Sequence, residues 1–280
     1  MHNNALSRSE LIKLALNEDM PSGDITTDGL GIASRRGFAR LKAKQDLTLS
    51  GCDFFEDTLK TVDPALKIEW EFTDADQVLK NQNVALIEGN LITLLKAERV
   101  ALNFLGRLSG VATLTKRFVK QVEGTKTKIL DTRKTTPLLR PFEKKAVRDG
   151  GGTSHRDSLS SAVLIKENHI RAADGINNAV FSIRNSGVSF IEVEVTTYDE
   201  AKECIELGVQ RILLDNMSID EMNSIVAMTP VTIETEASGN MTIDRVREVA
   251  LTGVSFISVG ALTHSAQVAD LSLLFDWPNA

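Results

Sequence analysis

The chain has 280 residues, of which 42% are hydrophobic and 25% are charged, and its formal net charge is −6. Such a chain can bury a large core, and its acidic balance argues against a nucleic-acid-binding face, which is usually basic. Two cysteines outside any CxxC pair, a polar N-terminus and no apolar run of membrane-spanning length argue against a disulfide framework, a zinc site and a membrane protein, so we expect a cytoplasmic location.

Residues 1–108 are predicted to form a small α+β domain. A first helix begins near Ser7, which can form a capping box with Glu10, and runs to about Leu16. A long helical pattern covers 91–121, and Ser109-Gly110 is where this helix could break. Four strand-like stretches lie between these helices, at 38–43, 47–50, 66–72 and 84–88. The C-terminal segment 271–280 is expected to pack back on this domain.

Residues 109–270 are predicted to form an α/β barrel, because short apolar strands alternate with helical segments about every twenty residues. The predicted helices cover 172–186, 198–207, 219–228 and 243–251. The predicted strands cover 126–132, 161–166, 189–195, 209–216, 231–237 and 254–260. The pattern gives six strands and leaves a seventh unplaced. The first strand is followed by no GxGxxG motif, which argues against a dinucleotide-binding fold.

The most strongly charged part of the chain is 126–156, which has nine Lys or Arg residues against three acids. Together with three consecutive glycines, this charge predicts a pocket for a compact polyanion. We assign Arg133-Lys134 and His155-Arg156 to that pocket, because they follow a strand and a glycine turn, respectively. Three other residues are interpreted as the solvated face of a basic helix: Lys144, Lys145 and Arg148.

Polar residues also follow the other predicted strands, and in a barrel the carboxyl ends of the strands form the working face. The residues at this rim are Asp131, Arg133, Lys134, Lys166, Asn168, His169, Glu194, Asp215, Asn216, Glu234, Glu236, Ser238, Gly239 and Gly260.

Several of these residues have more than one interpretation. Glu192 and Glu194 alternate with apolar residues, so both side chains face the same way. In the barrel interior they would need partners or a metal, and one could be a structural carboxylate paired with a lysine. Asp215-Asn216 could cap the next helix, or Asp215 could hold a ribose hydroxyl or Mg²⁺.

Backbone amides near Ser238-Gly239 and Gly260 are predicted to bind phosphate, since the last two strands of such barrels often carry that site. His169 and His264 are interpreted as structural imidazoles. The sequence has no GxSxG motif and no paired carboxylates arranged for glycoside cleavage. The predicted machinery therefore holds negative charges and stabilises a departing anion.

In this order, these residues resemble the quinolinate phosphoribosyltransferase (carboxylating nicotinate-nucleotide pyrophosphorylase) family. The resemblance runs through nearly the whole chain. Its motifs are LALNEDMPSGDITTD, AERVALNFLGRLSGVAT, DTRKTTP, EKKAVRDGGGTSHR, VLIKENHI, IEVEV, LLDNM and FISVGALTHSA.

The resemblance implies a seven-stranded open α/β barrel of the type II phosphoribosyltransferase fold with an N-terminal α+β domain. It also implies a head-to-tail homodimer, or a larger assembly of such dimers. The implied reaction joins quinolinate to phosphoribosyl pyrophosphate (PRPP) with Mg²⁺, giving nicotinate mononucleotide, pyrophosphate and CO₂ in NAD biosynthesis. Partners other than these substrates, such as nucleic acid or membrane, are not expected.

Residue roles follow from the same resemblance. Arg133, His155, Arg156 and Lys166 would hold the quinolinate carboxylates, and Arg99 would enter the site of the neighbouring subunit. The other implied ligands are Lys134 near the pyrophosphate, Glu194 and Asp215 at the ribose directly or through Mg²⁺, and Ser238, Gly239 and Gly260 at the 5′-phosphate.

The chain departs from the family pattern around the acid-binding residues. Leu138 and Ser158 stand where the family usually has Gly, Ser154 replaces an Asn, and Ser161 stands at a place that often holds Asp. These departures leave open a paralogous enzyme of the molybdate-operon type that uses a different planar heterocyclic acid. Two further alternatives are a catalytically silent barrel and an aldolase-type barrel with Lys166 as the Schiff-base lysine.

Overall fold

The computed structural model describes residues 6–31 and 34–277. No helix within these ranges has the length and apolar character that crossing a membrane requires. The helices are α1 (Arg8–Asp19), α2 (Ile25–Gly29), α3 (Cys52–Val62), α4 (Leu91–Gln121), α5 (Arg140–Asp149), α6 (Glu167–Ala172), α7 (Ile176–Asn185), α8 (Tyr198–Glu206), α9 (Ile219–Met228), α10 (Ile243–Leu251) and α11 (Ala261–His264).

The strands are β1 (Arg36–Ala43), β2 (Leu47–Thr48), β3 (Lys67–Trp70), β4 (Gln77–Val78), β5 (Asn83–Asn90), β6 (Lys128–Leu130), β7 (Val163–Ile165), β8 (Ile191–Val195), β9 (Arg211–Asp215), β10 (Glu234–Ser238), β11 (Phe256–Ser258) and β12 (Leu271–Asp276).

The described chain divides into two compact units. The first contains the described residues up to Leu114, Thr136–Gly151 and those from Ala266 onward, and the second contains Thr115–Thr135 and Gly152–Ser265. This division groups 136–151 and 266–270 with the first unit, whereas the sequence assigned both segments to the barrel. The predicted domain limits at 108 and 270 stay a prediction.

The first unit is built around an antiparallel sheet with strand order β12-β1-β5-β3. The C-terminal strand β12 pairs with β1, for example through Leu41 and Leu273. One face of the sheet contributes to a core in which Leu41, Phe55 and Leu94 are fully buried. The predicted capping box at the start of α1 is confirmed, since Ser7 accepts from the Glu10 amide and the Glu10 carboxylate accepts from the Ser7 amide.

Helix α4 is continuous, so the predicted break at Ser109-Gly110 is wrong. A Cβ atom on Gly110 would lie 2.0 Å from the carbonyl oxygen of Gln267. The glycine is therefore explained by close backbone approach within the first unit and not by an interruption of the helix.

Helix α5 is anchored in the first unit by polar contacts on one face. Lys145 pairs with Asp74 at 2.6 Å and with Asp149 at 2.7 Å, and the Ser50 hydroxyl donates to Asp149 at 2.6 Å. Lys144 is only 1% exposed. The interpretation of this helix as a solvated basic face is therefore wrong for Lys144, and it holds for the exposed Arg148.

The second unit contains the predicted parallel sheet, with strand order β6-β11-β10-β9-β8-β7 among the described residues. Strands β6 and β7 are the two edges, so the barrel is open between them. The family resemblance implied seven strands, and the described residues form six in this sheet. The unplaced segment corresponds to a single parallel bridge between Leu130 and Thr153.

Two predicted elements of this unit differ from the structure in their limits. The predicted helix 172–186 begins only at Ile176, as α7, because Asp174 and Gly175 have φ angles of 57° and 128°, and the short helix α6 that precedes it was not predicted. The predicted strand 231–237 begins only at Glu234. Val231 is fully exposed and lies before the strand.

Strand register stacks the inward-facing side chains of β8, β9 and β10 in layers, as is usual in α/β barrels. The lowest layer contains Glu192, Arg211 and Glu234, the next contains Glu194, Leu213 and Glu236, and the upper one contains Asp215 and Ser238. Barrel interiors are commonly filled by branched aliphatic side chains. Here the lower two layers carry four carboxylates and one arginine.

Candidate active site

A cavity of about 660 Å³ opens at the carboxyl ends of the strands of the second unit. Its lining combines basic, acidic and small residues: Asp131, Thr132, Arg133, Lys134, His155, Arg156, Leu164, Lys166, Glu194, Leu213, Asp215, Asn216, Glu236, Ser238, Gly239, Asn240, Met241, Ser258, Gly260, Ala261 and His264.

The cationic wall of the cavity comes from three separate segments. Arg133 and Lys134 follow β6, Arg156 follows the bridge at Thr153, and Lys166 follows β7. Nη1 of Arg156 donates to the carbonyl oxygen of Ala162 at 3.0 Å. Burial and the neighbouring charge of Arg133 lower the pKa of Arg156. Two guanidinium groups in mutual repulsion are a site that an anion would stabilise.

The predicted carboxylate ligands lie on the adjacent strands β8 and β9. Glu194 accepts an ion-pair hydrogen bond from Nζ of Lys166, which matches the alternative of a lysine-paired carboxylate. Asp215 accepts from the side-chain amide of Asn216 at 2.8 Å. Ser218 is the N-cap of α9, so the interpretation of Asp215-Asn216 as the cap is wrong.

The turn after β10 is shaped by a close contact between Gly239 and Asn216. A Cβ atom on Gly239 would lie 2.2 Å from Oδ1 of Asn216, and φ of Gly239 is +92°. Arg245 fixes the same turn by donating to the carbonyl oxygens of Gly239 and Met217, at 3.2 and 2.8 Å. Only glycine fits this position, which brings backbone amides of the turn to the cavity rim.

Beneath the cavity lies a charged cluster that we call the acidic floor: Glu192, Glu236, His155 and Arg211. Nε2 of His155 lies 3.1 Å from Glu192 and 3.4 Å from Glu236. Nη1 of Arg211 lies 3.4 Å from Glu236. Burial raises the pKa of Glu192. Burial also acts against ionised Glu236, but His155, Ser258 and Arg211 outweigh it and lower the pKa of Glu236.

The backbone amide and both ring nitrogens of His155 have partners. Its amide donates to Oδ1 of Asp131 at 2.9 Å, and its Nδ1 accepts from the Arg156 amide at 2.7 Å. Burial lowers the pKa of His155, but the hydrogen bonds and charges of Glu192 and Glu236 raise it to about 9. Because Nδ1 accepts from an amide, a ring hydrogen is on Nε2, the nitrogen that faces the two carboxylates.

The ligand-like atoms of His155, Glu192 and Glu236 lie within 4.8 Å of one another. A metal ion at Nε2 would require the lone pair that the Nε2 hydrogen occupies. Arg211 already supplies positive charge to Glu236. The trio is therefore better described as a hydrogen-bonded ion cluster than as a metal centre, and it answers the expectation that Glu192 needs a partner.

The structure brings ten of the eleven predicted site residues to this one cavity: Arg133, Lys134, His155, Arg156, Lys166, Glu194, Asp215, Ser238, Gly239 and Gly260. Arg99, the eleventh, is exposed on α4 in the first unit. The individual roles of these residues stay predictions. The predicted role of His155 as a ligand of the acid competes with existing contacts, because both of its ring nitrogens already have partners.

Sequence reasoning missed the site role of three residues. His264 is exposed and lines the cavity, with Nδ1 2.7 Å from the hydroxyl oxygen of Ser265, whereas Nδ1 of His169 accepts from the Lys166 amide at 3.0 Å. Glu236 was noted at the rim but not selected. Thr263 donates to the carbonyl oxygen of Lys134 at 2.7 Å, but it gave no signal, because a hydroxyl between Leu262 and His264 in a short helix has no recognisable pattern.

The four departures from the family pattern have local explanations in two cases. Leu138 has a φ of +67°, the left-handed region that favours the glycine usual at this place. The hydroxyl of Ser161 accepts from the amides of Asp157 and Ser158, both at 3.1 Å, which closes the loop as an Asp would. Nothing in the structure explains Ser154.

Comparison with known proteins gives a consistent result along most of the chain. The model of "Quinolinate phosphoribosyl transferase, N-terminal domain" matches residues 24–109, and the model of the C-terminal domain of the same family matches residues 111–274.

Individual relatives agree with the family models. The chain is 40% identical to the mitochondrial quinolinate phosphoribosyltransferase (decarboxylating) 2b of Nicotiana tabacum, over 95% of this chain and 82% of that protein. It is 40% identical to a probable nicotinate-nucleotide pyrophosphorylase (carboxylating) of Synechocystis, over 92% of this chain and 89% of that protein. The solved nicotinate-nucleotide pyrophosphorylase of Francisella tularensis superimposes with a TM-score of 0.93 at 38% identity, covering 96% of each chain.

Proposed function

The chain belongs to the quinolinate phosphoribosyltransferase family, and we propose that it joins quinolinate to PRPP with loss of pyrophosphate and CO₂. The product would be nicotinate mononucleotide, the precursor made in de novo NAD synthesis. The observation that carries this proposal is the convergence of Arg133, Lys134, Arg156 and Lys166 on a single cavity. Adjacent carboxylates on a planar ring require several cations on one side, and this wall supplies them.

The acid-binding part of the cavity would be formed by Arg133, Arg156 and Lys166 together with His155, which also belongs to the acidic floor. Leu164 and Leu213 are buried and line the same cavity, so they offer apolar surface to the face of the ring. Apolar contact with a ring and polar contact with its acids is the usual division of labour in small-molecule sites.

The phosphoribosyl part would be formed by the opposite strands of the sheet. Ser238, Gly239 and Gly260 would bind the 5′-phosphate through backbone amides, and Glu194 and Asp215 would hold the ribose hydroxyls. Mg²⁺ would be held by these two carboxylates together with the substrate phosphates, where it would offset the charge of the pyrophosphate. Carboxylates on neighbouring strands at a cavity rim fit that metal, which prefers few protein ligands.

The chemistry then needs positioning and charge but no protein nucleophile. The pyridine nitrogen attacks C1 of the ribose while the bond from C1 to the pyrophosphate oxygen breaks. Lys134 would stabilise the departing pyrophosphate. The bond between ring carbon C2 and its carboxylate breaks next, because the quaternised nitrogen stabilises the electron pair left on C2. That carbon finally takes up a proton.

We also propose a homodimer in which Arg99 completes the acid-binding wall of the neighbouring subunit. Arg99 is exposed on α4, so a neighbouring subunit has access to its side chain. Mixing Arg99→Ala subunits with Lys134→Ala subunits would restore activity, since mixed dimers contain one intact site. If no activity returns, sharing between subunits is contradicted.

The direct test is turnover of carboxyl-labelled quinolinate with PRPP and Mg²⁺, measured as released labelled CO₂. A panel of other heterocyclic acids serves as the control for acceptor identity. Turnover of another acid in place of quinolinate would overturn the assignment.

We propose a cytoplasmic location from the free cysteines Cys52 and Cys204, although the relatives from tobacco and Arabidopsis thaliana are named mitochondrial and chloroplastic.

A further inference from the structure

The cavity has opposite charge on its wall and on its floor. Arg133 and Lys166 follow the strands β6 and β7, and Arg156 follows the bridge at Thr153, so the wall lies beyond the strand ends. Glu236 also lines the cavity but lies two residues before the end of β10, so it is deeper in the barrel. It is fully buried, and its Oε1 accepts no hydrogen bond from any residue that the structure describes.

Four carboxylates lie at this depth, and Glu236 shares its cationic partners with two of them. The layer that contains Glu236 also contains Glu194, and the layer below contains Glu192 and Glu234. Arg211 pairs with both Glu236 and Glu234, and His155, whose raised pKa favours the charged ring, contacts both Glu236 and Glu192. Lys166 pairs with Glu194, so three cations face four carboxylates. A second anion that approaches such a buried carboxylate is repelled strongly, because solvent does not screen the pair.

We infer that Glu236 is a specificity-determining residue, an inference that rests on the proposed function. It rejects acceptor acids that carry a carboxylate on the ring edge opposite the one held by the cationic wall. Quinolinate has both carboxylates on adjacent carbons, so both reach the wall while its C–H edge faces the floor. The edge of an aromatic ring carries positive partial charge, which suits a carboxylate.

The structure makes Glu236→Gln a clean test because each of the two cationic partners of Glu236 has a second carboxylate. Arg211 also pairs with Glu234 at 2.7 Å, and His155 also contacts Glu192 at 3.1 Å. The variant removes one negative charge while Arg211 and His155 stay paired. The amide has nearly the same volume, so the packing of the layer is kept.

The matched control is Glu234→Gln. Glu234 is on the same strand, faces the same way and pairs with the same arginine, but its side chain is 43% exposed and does not line the cavity. It therefore removes a carboxylate from Arg211 without removing one that lines the cavity.

The experiment measures binding of three acids by calorimetry: quinolinate, pyridine-2-carboxylate and pyridine-2,5-dicarboxylate. The 2,5-diacid differs from the monoacid only by a carboxylate across the ring. In the wild type we expect it to bind about 10-fold more weakly than the monoacid, because like charges repel. Glu236→Gln should abolish this difference, and Glu234→Gln should preserve it.

Two results would overturn the inference while leaving the proposed function intact. One is that the wild-type protein binds the 2,5-diacid as tightly as the monoacid, which needs no variant at all. The other is that folded Glu236→Gln, checked by circular dichroism, keeps the wild-type difference. Failure of the wild type to bind quinolinate or to release CO₂ from it would instead contradict the proposed function.

Discussion

The hydroxyl of Thr263 donates a hydrogen bond to the carbonyl oxygen of Lys134, 2.7 Å away. Thr263 is fully buried in α11, and Lys134 lies in the loop after β6, so this bond joins two segments that both line the cavity. The side chain of Lys134 also passes Gly260 closely, since a Cβ atom there would lie 3.1 Å from its Cδ. The position of Lys134 therefore depends on the turn that follows β11.

Thr263→Val should reduce kcat/KM for PRPP by about 10-fold, because it leaves the Lys134 carbonyl without this donor while keeping the side-chain shape. Thr263→Ser keeps the hydroxyl and should remain close to wild type. Steady-state kinetics with each substrate varied would check this. Equal kinetics of the Val and Ser variants would show that the bond does not position Lys134.

Glu143→Gln should destabilise the first unit by about 3–5 kcal/mol, as expected when one partner of a buried ion pair is removed. Glu143 is fully buried, receives two hydrogen bonds from Arg107, at 2.7 and 3.0 Å, and accepts from the amide of Thr136 at 3.0 Å. The free energy of unfolding in urea measures the effect.

The control for this pair is Glu88→Gln, which removes an exposed partner of Arg36 at 3.4 Å. Exposed pairs contribute less than about 1 kcal/mol, so this variant should unfold almost like the wild type. Similar losses in the two variants would contradict the role given to burial.

Gly239→Ala should cost both stability and PRPP binding. Its φ of +92° disfavours an alanine, and the added Cβ meets Asn216 in the turn after β10. Gly208 has a φ of +61° but open space around it, so Gly208→Ala carries the backbone cost alone. We expect KM for PRPP to rise about 10-fold in the first variant and to stay unchanged in the second. A rise in both would attribute the effect to general destabilisation.

Leu138→Gly should raise the free energy of unfolding by up to about 1 kcal/mol. A left-handed conformation costs a leucine about 1–2 kcal/mol, which exceeds the entropic cost of glycine. Leu159 is similarly exposed but is absent from the positive-φ residues, so Leu159→Gly should lower stability. Thermal unfolding measures the change in stability of each variant relative to the wild type. The two changes have opposite signs if backbone strain is the cause, and the same sign if it is not.

Much of the barrel could be predicted because its strands are short apolar runs bounded by polar ends. The segments predicted at 189–195 and 209–216 contain β8 and β9. The segment at Thr153 was not predicted, because a single bridge is too short to show an alternation of apolar and polar residues. Gly110 was misread because only three-dimensional structure reveals that Gln267 lies against it.

The site was predictable where residues of one charge cluster at strand ends, as with Arg133 and Lys166. Lys144 shows the limit of that reasoning, because a basic residue in a basic stretch looks solvated and yet is buried. The acidic floor was partly visible in the alternation of Glu192 and Glu194. Its partners were not, since Arg211 and Glu236 come from other strands whose register the sequence does not specify.

The open side of the sheet has a consequence for how this enzyme could change its acceptor. The residues proposed to bind the acid, Arg133, His155 and Arg156, lie in the sequence between β6 and β7, the two edge strands. All four departures from the family pattern, at 138, 154, 158 and 161, fall in the same interval. Under the proposed function, substitutions in this interval would alter the choice of acceptor without touching the strands β8 to β11, which carry or precede the proposed sugar-phosphate ligands.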